Sequence, residues 1–122
     1  MFIECNMNPY GANIDDCIIR AITKATGKDY FDVMDGLIDI ADSNDGWEID
    51  DIRTANKYLI SNGWEFCVLD GRCTVKQFSE HITDPRLIVV NGHMTYSEGG
   101  NVFDTWNCNR YKVKYVYRKC NS

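Results

Sequence analysis

The sequence predicts an α+β protein in which N-terminal helices pack on a C-terminal antiparallel β-sheet. Apolar residues recur at helical spacing over roughly the first half of the chain, whereas alternating or continuous apolar runs, typical of strands, fill the second half. No internal repeat, low-complexity stretch or linker interrupts the 122 residues. We therefore expect one domain spanning residues 1–122.

Three helices are expected in the first half, and the first of them precedes every predicted strand. Its apolar stripe is Ile18, Ala21, Ile22 and Ala25, and its capping candidates are Asn13, Asp15 and Asp16. Gly27 is a typical stop at its C-terminus. The second helix begins near Asp29 and breaks at the turn formers 43–46, and the third runs from about Asp50 to Gly63.

Two elements follow the third helix before the main strands. Residues 64–69 predict a strand closed by the turn pair Asp70-Gly71. Thr74 and Gln77 have the spacing of a capping box, which predicts a short helix ending near His81. The exposed face of that short helix would carry His81, so we do not expect this histidine to act as a catalytic base.

Two later segments predict strands with different positions in the sheet. Residues 87–90 are apolar at every position, which is typical of a strand covered on both faces, so we expect 86–91 to be central. Residues 112–117 alternate polar with bulky side chains, which is typical of an outer strand with one solvent-facing side.

The segment from Gly92 to Trp106 predicts a β-hairpin that joins a histidine to a carboxylate. A loop centred between Glu98 and Gly99 would make His93 and Asp104 direct cross-strand partners. Since a slip of one residue moves a side chain to the other face, the register of this hairpin decides whether the two groups meet.

Cys17 stands where the first helix should begin, so its sulfur is the candidate nucleophile. Unpaired amide groups and the positive end of the helix dipole favour the thiolate form at such a position. A histidine that forms an ion pair with the thiolate and a carboxylate that orients the ring would complete a Cys-His-Asp hydrolase site. We assign these roles to Cys17, His93 and Asp104.

Neighbouring charges leave a second interpretation of Cys17 open. Asp15 and Asp16 would oppose the dipole unless their side chains cap backbone amides. Cys17 also lies at the edge of the apolar stripe, so a half-buried structural cysteine is the alternative.

Composition excludes several other classes of function. The net charge of −5 gives no electrostatic reason to expect nucleic acid as a partner. No apolar stretch approaches the length of a membrane span, and the first residues lack the features of a signal peptide, so we expect no membrane partner and a cytoplasmic protein.

The six cysteines do not predict a disulfide framework or a metal site. Such frameworks belong mainly to secreted chains, and the sequence has no Cys-x-x-Cys pair that would indicate structural zinc. We expect no cofactor and no metal. The five cysteines other than Cys17 are interpreted as half-buried hydrophobic residues with inert thiols: Cys5, Cys67, Cys73, Cys108 and Cys120.

Together these residues resemble the papain-like cysteine peptidase and amidase superfamily. The resemblance covers most of the chain in order: Asp16-Cys17 followed by Ile18-Ile19-Arg20-Ala21-Ile22 and Ala25-Thr26-Gly27, then Gly92-His93, Asp104 and Trp106. It is closest to small bacterial and phage-type members. The resemblance implies a papain-like fold and a tryptophan, Trp106, that shields the base and the acid from water; alternatively, Trp106 is sheet core.

One position departs from that family. Papain-like peptidases usually have a glutamine six residues before the nucleophile, where this chain has Gly11. The nearest side-chain amides are Asn13 and Asn8, and we take Asn13 as the candidate that helps to bind the oxyanion. Losing one oxyanion donor typically slows turnover by about 100-fold to 1000-fold.

Two functions therefore follow from the sequence. The first is a thiol-dependent hydrolase that acts on an amide or isopeptide bond of a peptide or protein substrate. The second is a non-catalytic papain-fold binding module, for example a phage-encoded inhibitor of a host protein. The module would use an acidic surface made of Asp42, Asp45, Glu48, Asp50 and Asp51.

Overall fold

The computed structural model describes residues 1–12, 14–68 and 73–120, which form four helices and a six-stranded mixed sheet. The helices are α1 (Cys17–Thr26), α2 (Tyr30–Asp42), α3 (Ile52–Ser61) and α4 (Val75–His81). The strands are β1 (Phe2–Glu4), β2 (Trp64–Val68), β3 (Arg86–Val90), β4 (His93–Glu98), β5 (Asn101–Asp104) and β6 (Tyr115–Lys119). The α+β class and the early position of the three longer helices are confirmed.

The sheet has the strand order β1-β5-β4-β3-β6-β2. Its last five members pair antiparallel, but β1 runs parallel to β5, with Ile3 opposite Phe103. The prediction of a purely antiparallel sheet is therefore wrong at this edge. β1 has only three residues, and an apolar pattern of that length does not distinguish a strand from a loop.

Each helix begins or ends at a residue that the sequence singles out. Asp29 and Asp51 cap α2 and α3 by accepting hydrogen bonds from backbone amides. Thr74 and Gln77 form the predicted capping box of α4, and Gly27 ends α1 in the left-handed conformation with φ 72°. Asp16 occupies the N-cap position of α1, but its side chain makes no capping hydrogen bond there.

The central strand β3 lies between two hydrophobic clusters. Leu87 and Val89 belong to the cluster formed with α1, α2 and α3, whereas Ile88 and Val90 belong to the cluster that contains Val75 and Phe78 of α4. Since successive strand residues point to opposite faces, both faces of β3 are buried, as the continuous apolar run predicts.

The last strand is displaced from its prediction. β6 begins at Tyr115, and it lies inside the sheet between β3 and β2, so the outer-strand prediction for 112–117 is wrong. Val116 packs in the α4 cluster and Tyr117 in the cluster of the three longer helices. The charged residues that produced the alternating pattern, Lys112 and Lys114, precede the strand.

Two sequence predictions fall on residues outside the described part. These are the capping and oxyanion candidate Asn13 and the turn pair Asp70-Gly71. Within the described residues, no helix is both long enough and apolar enough to cross a membrane.

Candidate active site

The β4–β5 hairpin has a different register from the one predicted. Its loop is Gly99-Gly100, with φ 64° and 83°, and Ser97 lies opposite Val102. The loop is thus centred one residue later than expected, and His93 and Asp104 are not direct partners. When the centre of the loop moves by one residue, each residue pairs with a partner two positions further along the opposite strand. A shift of two positions leaves every side chain on the same face of the sheet. His93 and Asp104 therefore meet diagonally across the hairpin.

The contact between His93 and Asp104 is short and buried. His93 Nε2 lies 2.6 Å from Asp104 Oδ2, and the two side chains are 7% and 4% exposed. Burial alone would lower the pKa of His93, but hydrogen bonds to Asp104, Cys108 and Cys17 and the attraction of the Asp104 carboxylate raise it well above the usual value. Burial opposes ionisation of Asp104, yet the bond to His93 and its charge hold the pKa of Asp104 below its usual value.

Backbone contacts on both sides hold Asp104 in place. The Cys5 amide, directly after β1, donates to the Asp104 carbonyl at 2.7 Å, and the Thr105 amide donates to Asp104 Oδ1 at 2.7 Å. Oδ1 is thereby oriented by the backbone, and Oδ2 faces the imidazole. The short strand that the sequence analysis missed thus helps to position the carboxylate.

Cys17 and His93 come together because each is the first residue of its element. α1 packs on β4 and β3, and a tight turn at Asn91-Gly92 brings the chain back so that Val90 pairs with His93. Met94, the next residue, packs in the cluster that contains α1. Since successive strand residues point to opposite faces, the side chain of His93 lies on the other face of the sheet. Cys17 and His93 nevertheless line one groove, and the Cys17 thiol is one of the groups that raise the pKa of His93.

Cys17 and His93 both line one groove of about 230 Å³. Cys17 is half-buried where it lines this groove. Asp15, Asp50 and Lys114 also line it and place charged groups near the thiol. The wall between these groups is apolar: Ile18, Ile52, Val89, Val90, Met94 and Tyr115.

The charge of Asp16, adjacent to the thiol, is neutralised by a side chain rather than by helix capping. Asp16 Oδ1 lies 3.0 Å from Arg20 Nη1, and both side chains are buried. Asp16 Oδ2 accepts hydrogen bonds from Tyr30 Oη at 2.7 Å and Asn8 Nδ2 at 3.0 Å. Burial and the neighbouring Asp16 raise the pKa of Tyr30 to about 12, so this phenol stays a donor. Arg20 thus removes most of the opposing charge that the sequence analysis anticipated from Asp16.

Trp106 contacts the histidine from outside the sheet. Its ring stacks against His93 with centroids 4.6 Å apart and an angle of 44° between the rings. The residue follows β5 and is 39% exposed, so the alternative interpretation of Trp106 as sheet core is wrong. Its position is that of a partial cover over the imidazole.

The structure does not place the side-chain amide of Asn13 or of Asn8 as a donor to the oxyanion. Asn13 lies outside the described residues. Asn8 is buried, its Nδ2 donates to Asp16, and its Oδ1 accepts from the Tyr10 amide, so this side chain is already committed. The donors that remain at the site are the first amides of α1, which lack partners within the helix.

Sequence reasoning missed the contact made by Cys108. Its thiol is fully buried and lies 3.8 Å from Asp104 Oδ2, the oxygen that also contacts His93. The sequence shows that Cys108 follows Asp104 by four positions, but it does not show the bend between them that brings the thiol back to the carboxylate. All six cysteines are free thiols, and Cys108 alone among them is fully enclosed.

Comparison of the chain with models of known protein families, with curated proteins and with solved structures gives no match.

Proposed function

We propose that the protein is a thiol-dependent hydrolase of papain-like type that cleaves an amide or isopeptide bond. The observation that carries the proposal is that Cys17 and His93 line one groove, while Asp104 contacts the His93 ring. The His93 ring contacts the Asp104 carboxylate at 2.6 Å, and the half-buried Cys17 lines the groove beside His93 and helps to raise the pKa of its ring. A nucleophile, a base and an orienting acid in hydrogen-bond contact are the elements of covalent acyl transfer.

The first half of the reaction forms an acyl-enzyme. Cys17 reacts as the thiolate of an ion pair with the His93 imidazolium, the form of the ring that Asp104 favours. The thiolate attacks the carbonyl carbon of the scissile bond, which gives a tetrahedral intermediate. The imidazolium then gives its proton to the amide nitrogen, the carbon–nitrogen bond breaks, and an amine leaves. The product on the enzyme is a thioester of Cys17.

The second half releases the acid. His93 takes a proton from a water molecule, the resulting hydroxide adds to the thioester carbonyl, and the carbon–sulfur bond breaks. The sulfur leaves as the thiolate, the proton taken from water stays on His93 and so restores the ion pair, and a carboxylic acid departs. Asp104 keeps the ring oriented and stabilises its charged form throughout, since its Oδ2 contacts Nε2 at 2.6 Å.

Stabilisation of the oxyanion falls to the backbone in this proposal. The Cys17 amide opens α1, so it is free of an intrahelical partner and points toward the positive end of the dipole. The side-chain donor that the family places six residues earlier is replaced by Gly11. We therefore expect modest turnover, reduced by about 100-fold or more relative to a complete oxyanion hole.

Selective alkylation of Cys17 tests the proposal. At mildly acidic pH, iodoacetamide should label Cys17 at least about tenfold faster than the other thiols, because only Cys17 combines a helix start with a histidine partner. Mass spectrometry of the peptides identifies the site. His93→Ala should abolish this fast labelling at low pH, whereas Cys5→Ala, a change at another half-buried thiol, should not alter it.

A result with equal labelling of Cys17 and the other accessible thiols would reject the hydrolase. The active thiol would also be contradicted if a library of fluorogenic amides were cleaved equally by the wild type and by Cys17→Ala.

We propose a binding module as the second candidate. Asp42, Asp45, Glu48 and Asp50 are exposed and form an acidic surface suited to a basic partner protein, whereas Asp51 is occupied in capping α3 and pairing with Arg53. Partner capture that Cys17→Ala leaves unchanged, and that charge reversal of Asp42 and Asp45 removes, would favour this module. The six free thiols suit a reducing cytoplasm in either case.

A further inference from the structure

Cys108 is a buried nucleophile that the proposed reaction does not use. Its side chain packs among apolar residues of the α4 cluster, yet its sulfur also lies 3.8 Å from the Asp104 carboxylate. Together, one nitrogen of His93, one oxygen of Asp104 and the sulfur of Cys108 lie within 4.8 Å of one another. Imidazole, carboxylate and thiolate are the three ligand types that zinc accepts in proteins.

We propose that His93, Asp104 and Cys108 form a binding site for a divalent transition-metal ion, zinc above all, and that the bound ion blocks the hydrolase site. Metal binding itself is independent of the proposed function. Only the inhibition rests on it.

The spacing of the three ligand atoms is close to what a tetrahedral site requires. Bonds of about 2.0–2.3 Å to zinc imply separations between ligand atoms of roughly 3.3–3.7 Å. Cys108 Sγ and Asp104 Oδ2 are already 3.8 Å apart. His93 Nε2 and Asp104 Oδ2, now 2.6 Å apart, need to separate by about 0.7 Å as the ion replaces the proton between them.

Three protein ligands leave one coordination position for water. Cys17 is a poor candidate for this position. Nε2 of His93 faces Asp104, so the nitrogen left for the Cys17 thiol in the proposed reaction is Nδ1. One imidazole does not bind a single ion through both of its nitrogens.

Binding of the ion displaces two protons and changes no oxidation state. The Cys108 thiol loses one proton, the His93 imidazolium loses the other, and Asp104 is already ionised. Affinity should therefore rise with pH, since protons compete with the metal for two of the three ligands. With Nε2 held by the metal, His93 can no longer become the imidazolium that protonates the leaving amine.

Cobalt binding tests the site without any need for turnover. Under anaerobic, reduced conditions, titration of the full chain with Co²⁺ should produce the near-ultraviolet charge-transfer band of a cobalt–thiolate bond, and Zn²⁺ should remove it. Cys108→Ala and the closer isostere Cys108→Ser should each weaken Co²⁺ binding at least about 100-fold. Trp106, stacked on His93, should change its fluorescence in parallel.

Two cysteine variants serve as controls. Cys73→Ala removes a half-buried thiol beside the same apolar cluster, and Cys17→Ala removes the proposed nucleophile; both should retain the band. The proposal is overturned if the wild type gives no band, if both Cys108 variants retain it, or if Cys17→Ala alone abolishes it. A band without hydrolysis would uphold the metal site while the hydrolase proposal fails.

Discussion

The buried pair of His93 and Asp104 carries the largest electrostatic consequence at the scale of individual residues. His93 and Asp104 both lie out of solvent, and each shifts the ionisation of the other in the direction that favours charge. Removing one member of such a pair typically costs about 3–5 kcal/mol, because the other is left buried and unpaired. The pair therefore contributes to stability as well as to the proposed chemistry.

The stability of the protein should depend on pH through this pair. The pKa of His93 is raised above 6.5 in the folded chain, so its contribution is complete below that pH and is lost as pH rises through the raised pKa. The pKa of Asp104 is lowered below 3.8, so its contribution is present above that pH and is lost in stronger acid. We expect the pair to stabilise most between pH 3.8 and pH 6.5.

Asp104→Asn isolates this effect. Within that pH window, urea unfolding should show that the variant has a free energy of unfolding about 3 kcal/mol or more below that of the wild type. The difference between the two proteins should become smaller toward alkaline pH, because the imidazole becomes neutral. Asp42→Asn, a change at an exposed carboxylate, should leave the free energy of unfolding within about 0.5 kcal/mol of the wild type. A deficit of Asp104→Asn that stayed constant from pH 4 to pH 10, within about 0.5 kcal/mol, would contradict the argument.

Individual site residues differ in how far the sequence predicts them. Cys17 follows from the start of a helix, and the pairing of His93 with Asp104 follows from the alternation of strands, which survives an error of two positions in the register. Cys108 and Asn8 lie in irregular segments, and their contacts depend on tertiary packing. No periodic pattern marks such positions, so their partners become visible only in three dimensions.

At the scale of elements, the contact between α2 and α3 depends on a glycine. Gly36 lies in the interior of α2, and a Cβ atom there would stand 2.6 Å from Cε2 of Tyr58, a buried residue of α3. At an exposed helix position the change to alanine stabilises by about 1 kcal/mol. Here the aromatic ring prevents that gain, because it occupies the space that the methyl group needs.

Gly36→Ala should therefore destabilise the protein, by about 1–3 kcal/mol, since overpacking forces the ring or the helix to move. Thermal unfolding measures the change. In a double-mutant cycle, Gly36→Ala should destabilise the Tyr58→Leu variant less than it destabilises the wild type. The shorter leucine side chain leaves free the space that the new methyl group needs. A more stable Gly36→Ala single variant would refute the close packing.

The helices were easier to predict than the pairing of strands. Capping residues and stop signals are local, and Asp29, Asp51, Thr74 and Gly27 perform the expected roles at helix ends. The β4–β5 register instead depends on which two residues form the turn, and three candidates, Glu98, Gly99 and Gly100, stand in a row. The positive φ angles of both central residues favour Gly99-Gly100, since glycine adopts them without strain.

At the scale of the whole molecule, the sheet is enclosed at its centre and open at its edges. β3 has strands on both sides and apolar clusters on both faces. Its amides, at Leu87 to Val90, should exchange with solvent most slowly, at a rate set by global unfolding. Amides of β1 and β2, the two edge strands, should exchange faster, and NMR measures both sets.

Uniform exchange across the sheet would contradict this gradient. The same measurement on Asp104→Asn should accelerate exchange in β5 and β1 before β3, since the Cys5 amide is held by the Asp104 carbonyl.

The arrangement of helices and strands was predictable where burial produces a recognisable apolar pattern in the sequence. The continuous apolar run 87–90 identifies the central strand, and the division between helical and strand periodicity gives the class. The place of β6 was not predictable, because Tyr115 and Tyr117 have polar hydroxyls and apolar rings, and their pattern resembles that of a half-exposed strand. The neighbours of a strand are set by long-range pairing, which alternation does not encode.

The charges around the groove have a consequence for chemical tools. Asp15 and Asp50 line its mouth, and neither has an ion-pair partner among the described residues. A thiol-reactive reagent that carries an ammonium group would thus be drawn toward the mouth of the groove, whereas the fully buried thiol of Cys108 would escape modification.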